Sequence, residues 1–329
     1  MPKQDSQYHN IKPKKGVIVV NFGSPEALTK KSIRLFLWRL LTDKRVVELP
    51  RIIWLPILCL IILPLRPRRL IHDYKRIWKK EGSPLLVDHH EITKKLQSYL
   101  KDVVVEEAHL YANPNLDMAW HKLKQAGVRD VLIFPLYPQY SSATTACVFD
   151  AWAKVMAKEN FVPAVQIIQS YHDDQTYIDL LAKSVKAHWK ASGQGDHLIF
   201  SFHGIPKQKF KAGDPYYCYC HKTMRLVAEK LKLDEKMYSL AFQSRFGKQE
   251  WLKPYLSDHI KSLITQGDKR IDVICPGFSI DCIETLHEIG CEYAEEAESL
   301  GGTLKLIPCL NNSSDSIGLY KKIILEKIS

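Results

Sequence analysis

A histidine closes an apolar run in the second half of the sequence, where its imidazole could transfer a proton or bind a metal ion. Residues Leu198–Phe202 are mostly β-branched or aromatic, and Gly-Ile-Pro follows His203, which predicts a buried strand. His203 would then lie at the carboxyl end of this strand, the edge where open α/β sheets bind ligands. Imidazole titrates near neutral pH and is a common ligand of borderline metals. The alternative interpretation is a hydrogen-bonded core histidine.

A glutamate later in the chain could act together with this histidine. A second predicted strand ends at Cys275-Pro-Gly, and a helix is predicted over Cys282–Leu300. Glu284 falls in the first turns of that helix, and Asp281 lies near its amino end, where negative charge is favourable. If both strands belong to one sheet, Glu284 and His203 form either an acid–base pair or a two-ligand metal site.

The same predicted helix is unusually acidic. Every fourth residue is a glutamate, which gives the stripe Glu284, Glu288, Glu292 and Glu296. Seven acidic residues and no lysine or arginine occur from Asp281 to Glu298, although the chain has a net charge of +11. Like charges four residues apart cost about 0.2–0.5 kcal/mol. The stripe is either a solvated face or a route for a hydrated divalent cation or a proton, with Asp281, Glu288 and Glu292 as its candidate residues.

Aromatic and hydroxyl side chains follow two further predicted strands. Tyr137 and Tyr140 come after Val131–Pro135, and Trp251 comes after Tyr238–Phe242 and an Arg-containing loop. Such loops at one edge of a sheet favour a large apolar pocket with a few polar anchors, although a single aromatic is more often part of a core.

Strands and helices alternate along the whole chain. Strands are predicted at Val17–Val20, Val103–Glu106 or Ala108–Ala112, Val131–Pro135, Val165–Gln169, Leu198–Phe202, Tyr238–Phe242, Asp272–Cys275 and Leu304–Pro308. Helical patterns separate most of them, which predicts parallel sheets covered on both faces. The expected fold is α/β, with two doubly wound Rossmann-like domains of roughly four strands each. The predicted domains are residues 1–172 and 173–329, with the last helix, 315–329, packing back on the first.

Composition limits the partners and the compartment. The 47 basic residues outnumber the 36 acidic ones, which favours anionic partners. No nucleic-acid motif accompanies the excess, so it is either a solvated basic face or a contact with an anionic membrane surface. Eight cysteines without a Cys-x-x-Cys pair indicate reduced thiols in a cytoplasmic protein.

One apolar stretch is too short to cross a membrane. Residues Ile52–Leu65 contain two prolines and are bracketed by Arg51 and Arg66. A membrane span needs about 20 apolar residues. The stretch is therefore predicted to be buried, or to lie at an interface with a bilayer or an apolar ligand.

Several blocks along nearly the whole chain resemble the ferrochelatase family, which inserts ferrous iron into a porphyrin. The blocks are VVNFGSPE (19–26), GSPL (82–85), LYPQYS (136–141), SFHGIP (201–206), GDPY (213–216), FQSRFG (242–247) and CPGFSIDCIETL (275–286). The pattern is similar to that of proteobacterial members making protoheme from protoporphyrin IX in the terminal step of heme biosynthesis. The resemblance implies a chelatase-like fold, with Fe(II) and a porphyrin as the substrates.

The resemblance also implies roles for individual residues. His203 and Glu284 would be the catalytic, metal-binding pair at the insertion site. Residues that would bind the porphyrin are Phe22, Arg66, Tyr137, Tyr140, Trp251 and Phe278. Arg66 and the Ile52–Leu65 stretch would lie at the mouth of the pocket.

Two departures from the family pattern matter. Animal members have a histidine where this chain has Cys282, so no second histidine is expected there. No cysteine follows Cys309, so neither a [2Fe–2S] cluster nor another tightly bound cofactor is expected, with Cys218 and Cys220 as the remaining candidate ligands.

Two other functions stay open from the sequence. One is a related chelatase of the cobalt/sirohydrochlorin type, and the other is a non-catalytic tetrapyrrole-binding protein. We expect protoporphyrin, and not coproporphyrin, to be the substrate. The protein is expected in the cytoplasm, or peripherally on the inner membrane.

Overall fold

A computed structural model describes residues 13–247 and 249–328 of the chain. The polar start predicted for residues 1–13 therefore lies almost wholly outside the described residues. The strands are β1 Lys14–Asn21, β2 Val103–His109, β3 Val128–Pro135, β4 Ala164–Ile167, β5 His197–His203, β6 Tyr238–Gln243, β7 Arg270–Ile274 and β8 Thr303–Ile307.

Twelve α-helices connect the strands within these described ranges. They are α1 Lys30–Leu41, α2 Arg51–Ile57, α3 Leu63–Ile77, α4 Pro84–Tyr99, α5 Leu116–Gln125, α6 Thr145–Met156, α7 Gln175–Ser192, α8 Lys207–Lys211, α9 Tyr216–Leu231, α10 Leu256–Gln266, α11 Ala294–Ser299 and α12 Ser314–Ile328. Two π-helical segments, Leu58–Ile62 and Ile283–Tyr293, and a short 3₁₀ turn, Glu235–Met237, complete the path.

The strands form two four-stranded sheets with the same topology. Their orders are β2-β1-β3-β4 and β6-β5-β7-β8, and every pairing is parallel. In the first sheet Val17 lies opposite Val105 and Leu132. The predicted α/β fold with two Rossmann-like sheets is confirmed. The two alternatives offered for the second strand prove to be parts of one strand and the loop after it.

One apolar core joins the two sheets. Apolar side chains of β1 and β3, such as Val19 and Phe134, belong to the same buried cluster as Phe200 of β5 and Tyr320 of α12. Helix α12 packs against α4, α7 and β3, so it reaches back to the first sheet. Separate clusters cover the outer faces of the two sheets. The domain boundary near residue 172 stays a prediction.

The apolar stretch after α1 is helical. Helix α2, the π-helical turn Leu58–Ile62 and α3 follow one another without a break from Arg51 to Ile77. Trp54 is buried against α1 and donates its indole N–H to the carbonyl of Leu41 at 2.7 Å. Among residues 13–247 and 249–328, no helix has both the length and the apolar character that crossing a bilayer requires.

Candidate active site

In both sheets the strand order changes direction at the strand that comes first in the sequence. Strand β1 lies between β2 and β3, and β5 lies between β6 and β7, so each sheet has a topological switch point at its first strand. Ligands of open α/β sheets bind outside the carboxyl ends of the strands at such points. Residues after β1, β3, β5 and β7 all line one cavity, which places both switch points on the same site.

This cavity is mostly apolar and is lined by residues from both halves of the chain. Its interior volume is about 250 Å³. Ligand pockets are commonly lined by apolar and aromatic groups with few polar anchors. Phe22, Tyr137, Trp251, Phe278, His203 and Glu284 are all part of its lining. The cavity therefore joins the predicted histidine and glutamate to four of the six predicted porphyrin-binding residues.

The hydrogen bonds of His203 fix its tautomer. Its Nδ1 lies 2.7 Å from the carbonyl oxygen of Gly204. A carbonyl oxygen can only accept, so Nδ1 carries the proton and the neutral ring keeps its lone pair on Nε2. The Tyr216 hydroxyl donates to the His203 carbonyl at 3.0 Å, which fixes the backbone behind the ring. The arrangement presents a proton acceptor or metal ligand at the cavity wall.

The segment carrying Glu284 differs from the predicted α-helix. Residues Ile283–Tyr293 are π-helical, and only Ala294–Ser299 continue as the α-helix α11. The π-helix has i→i+5 hydrogen bonds, and such segments are frequent at functional sites. Hydrophobic spacing near four residues fits either helix, so the sequence pattern did not distinguish them.

Glu288 is the most constrained carboxylate of this segment. It accepts hydrogen bonds from the backbone N–H and the hydroxyl of Ser244, the residue after β6. The Gln243 amide donates both to Glu288, at 3.3 Å, and to the backbone carbonyl of Glu284, at 2.7 Å. Burial raises the pKa of Glu288, while the Ser244 hydroxyl and nearby His203 act in the opposite direction. Glu288 is therefore an electrostatic neighbour of the His203–Glu284 pair.

Asp281 does not belong to this carboxylate row. Its two oxygens accept hydrogen bonds from the Thr285 hydroxyl at 2.9 Å and the Asn311 amide at 2.7 Å. Its own N–H donates to the Asn311 side chain at 2.8 Å. Asp281 is buried and does not line the cavity. These contacts assign the carboxylate to the turn after β7, and its place in a cation or proton route stays a prediction.

The cations that balance the acidic segment come from another element. Helix α3 packs along the π-helix. Arg69 lies 3.4 Å from Glu292, and Arg76 lies 2.6 Å from Glu295. Both pairs are exposed, and Glu292 therefore lies at the outer end of the segment. Sequence reasoning missed these partners because a pattern within one helix carries no information about its neighbour.

Two predicted porphyrin residues lie outside the cavity lining. Tyr140 borders a second, polar hollow together with Ser142, Lys209 and Asp214. Arg66 lies on α3 with much of its surface exposed, but its guanidinium is partly covered by protein and lies 5.4 Å from the centre of the Phe246 ring. Partial burial lowers the pKa of Arg66, and the Glu284 carboxylate raises it, so the guanidinium is within electrostatic reach of the site.

A chain of buried hydroxyls at the cavity was not identified from the sequence. Ser83 donates to Ser24 at 2.7 Å, and Ser24 lies 3.5 Å from the Tyr74 hydroxyl. Ser24 and Tyr74 line the cavity. Burial, then the charge of Glu284, raises the pKa of Tyr74, so the phenol stays protonated. The quoted blocks 19–26 and 82–85 contain both serines and were the available signal.

The two cysteines of α9 do not share an environment. Cys218 is exposed and Cys220 is buried. Burial raises the pKa of the Cys220 thiol. The absence of a resident [2Fe–2S] cluster stays a prediction.

Comparison with solved structures supports the fold. The chain is similar to SirB from Bacillus subtilis with Fe3+, with a TM-score of 0.57 and 11% identity over 95% of each chain. It is also similar to CbiX, described as the terminal enzyme for biosynthesis of siroheme in denitrifying bacteria. That match has a TM-score of 0.53 and 12% identity, and covers 96% of this chain and 100% of CbiX. At such identities the likeness concerns the fold alone.

Comparison with sequences is more specific. A ferrochelatase from Aeromonas hydrophila subsp. hydrophila is 45% identical over 321 residues, which cover 96% of this chain and 99% of the relative. A ferrochelatase from Herminiimonas arsenicoxydans is 47% identical over 310 residues, covering 93% and 84%. The family model described as Ferrochelatase matches residues 14–328. The chain therefore belongs to the ferrochelatase family of metal chelatases.

Proposed function

We propose that this protein inserts Fe(II) into protoporphyrin IX, with His203 and Glu284 at the insertion site. The observation that carries the proposal is their common position on one mostly apolar cavity lined by Phe22, Tyr137 and Trp251. A porphyrin is a flat, mostly apolar ring with polar nitrogens at its centre. A site that binds it needs such aromatic walls and a few polar groups that face the nitrogens. The family membership of the chain supports the same reaction.

His203 is assigned the role of proton acceptor. Two pyrrole N–H protons must leave a porphyrin when Fe(II) binds its four nitrogens. An imidazole held with its proton on Nδ1 by Gly204 presents Nε2 to accept one of them. The aromatic ring of Trp251, whose centroid lies 6.4 Å from that of His203, is placed to restrict the movement of the porphyrin.

Glu284, Glu288 and Glu292 are assigned to iron supply and proton release. Glu284 lines the cavity, Glu288 lies behind it on Ser244, and Glu292 is exposed beside Arg69. Carboxylates can replace the water ligands of a hydrated cation one at a time, which lowers the cost of dehydration. The same row can carry a released proton outward.

The cavity walls and the basic residues would position the ring. Aromatic groups gripping a porphyrin off-plane could supply about 1–5 kcal/mol of strain towards the geometry that admits the metal. Arg66 is assigned to a propionate at the mouth, because guanidinium binds carboxylate through charge-assisted hydrogen bonds.

A peripheral membrane contact is part of the proposal. Ile52, Leu60 and Leu65 are exposed by 85%, 76% and 61% on the helical path from Arg51 to Ile77. The basic side chains of Arg66, Arg68 and Arg69 follow directly. This combination suits the surface of an anionic membrane, from which an apolar porphyrin could be taken up, and it is compatible with a cytoplasmic location.

An anaerobic assay with Fe(II) and protoporphyrin tests the function. Wild type should form protoheme, and His203→Ala should lower kcat by about 100-fold or more, the usual contribution of a positioned proton acceptor. Glu284→Gln should also be strongly impaired, because it removes the charge beside the incoming cation while keeping the side-chain shape. His90→Ala, which changes an exposed histidine of α4, is the matched control.

Four outcomes would contradict the proposal. Wild-type turnover in His203→Ala would remove its assigned role. Porphyrin binding without any metal-dependent product in wild type would favour a carrier. Faster insertion into coproporphyrin, or cobalt insertion into a sirohydrochlorin in preference to iron insertion, would change the assigned substrate.

A further inference from the structure

A connecting segment of the first half forms part of the cavity wall. We call residues 42–50, between α1 and α2, the strap. Val46 of the strap lines the cavity. Within the first half, Arg45 makes a two-point pair with Asp150 of α6, at 2.6 and 2.9 Å. The strap contains no regular helix or strand, so its position depends on side-chain contacts of this kind.

A buried lysine of the second half holds the other side of the strap. Lys209 lies on α8, six residues after His203, and its side chain is only 4% exposed. Its ammonium donates to the Arg45 carbonyl at 2.8 Å, to the Glu48 carboxylate, and to the Ser142 hydroxyl at 3.3 Å. All three N–H groups are used, and every acceptor belongs to the first half.

The hydrogen bonds of the Lys209 ammonium matter for stability because the charge is buried. A buried ammonium is costly unless it is paired and hydrogen-bonded, and removing one partner of such a pair is strongly destabilising. Lys209 also lines the cavity itself. One side chain therefore links the strap, the cavity wall and the segment that continues from His203.

We propose that Lys209 is a positioning residue that ties the strap across the cavity and so sets the affinity for the tetrapyrrole. The proposal rests on the proposed function, because it takes the cavity as the porphyrin site. With the tie intact, Val46 and its neighbours form a fixed wall against the ring. With the tie broken, the strap moves independently of the His203 segment, and the ring loses that wall.

The test compares Lys209→Met with Lys207→Met. Met keeps the length and apolar stem of lysine without its charge, and Lys207 lies on the same short helix but pairs with Glu250 at the surface. Hydrogen exchange of the ligand-free protein should be about tenfold faster in the strap of Lys209→Met, corresponding to about 1.4 kcal/mol, and unchanged in Lys207→Met.

Kinetics provide the second readout. In Lys209→Met the KM for protoporphyrin should rise about tenfold while kcat changes by less than about threefold, the pattern expected when binding to substrate and transition state is lost equally. Lys209→Arg keeps the charge and should restore most of the strap protection. Glu48→Gln alters an exposed carboxylate that accepts from Lys209, and it should shift both readouts in the same direction. This variant replaces Lys209→Met in the test if Lys209→Met does not fold.

The two proposals fail differently. Strap exchange that is unchanged in Lys209→Met, or faster exchange throughout the protein without a selective effect on residues 42–50, would overturn the role of Lys209. An unchanged KM would do the same. Absence of iron insertion by wild type would overturn the function instead, while the exchange experiment on the ligand-free protein would still report on the strap.

Discussion

Single residues at this site are set by their nearest hydrogen-bond partners. The Gly204 carbonyl determines which nitrogen of His203 is free, and the Ser244 N–H and hydroxyl hold Glu288 beside it. Glu288 is also a carboxylate whose pKa is raised by burial. Ionisation of Glu288 therefore lowers the stability of the folded state, because the charged form is less favourable there than in the unfolded chain.

Replacing Glu288 by glutamine should separate stability from activity. A carboxyl with a raised pKa binds its proton more tightly in the folded state, so stability is full below the unfolded pKa and falls as the pH rises through the folded one. Glu288→Gln removes this titration. The free energy of unfolding of the variant, relative to wild type, should therefore increase from acid to neutral pH in urea titrations.

Iron insertion by the same variant should fall by about tenfold or more, because the carboxylate beside Glu284 is lost. Glu298→Gln, near the end of the acidic segment and exposed, is the matched control. A stability difference that does not vary with pH would contradict the raised pKa.

At the scale of elements, the turn between β7 and the π-helix positions Glu284. Asp281 connects three parts of the chain there through Thr285, Asn311 and the N–H of Cys309. The turn depends on a carboxylate that can accept all of these bonds while buried.

Asp281→Ala should therefore destabilise the protein by about 3 kcal/mol, since several buried donors lose their acceptor. Iron insertion should fall as well, because the start of the π-helix loses its anchor. Asp102→Ala, an exposed aspartate before β2, should change stability by less than about 0.5 kcal/mol. Equal midpoints for the two variants in urea denaturation would refute the assignment.

The elements differ in how far the sequence predicted them. Alternating apolar runs located the eight strands, and the parallel-sheet rule placed His203 and Glu284 at one edge, because strand ends are fixed by chain-local signals. The π-helix was missed because carboxylates four residues apart fit either helix. The positions of Asp281, Tyr140 and Lys209 could not be predicted from the sequence. Each is set by contacts with residues distant in sequence, such as Asn311 for Asp281 and Glu48 for Lys209.

At the scale of the whole molecule, the net charge of +11 and the exposed apolar side chains between Arg51 and Ile77 both bear on the proposed membrane contact. Contact with a bilayer needs both buried apolar area and attraction to anionic lipids. The path from Arg51 to Ile77 carries exposed side chains of both kinds.

Replacing Ile52 and Leu60 by serine should weaken binding to phosphatidylcholine/phosphatidylglycerol vesicles by about tenfold in sedimentation assays. Leu325→Ser, an exposed apolar residue of α12, serves as the control and should bind like wild type. Added salt should weaken wild-type binding further. Insensitivity to both changes would argue against membrane contact.

The core shared by the two sheets opposes any motion that would separate the two halves of the molecule. Val19, Phe200 and Tyr320 belong to one continuous apolar interior. Separating the halves would expose this interior to water, at a free-energy cost of about 25 cal/mol for each Å² of apolar surface. If the cavity binds a porphyrin as proposed, exchange of substrate and product is therefore expected to involve rearrangement at the cavity mouth, and not separation of the two sheets.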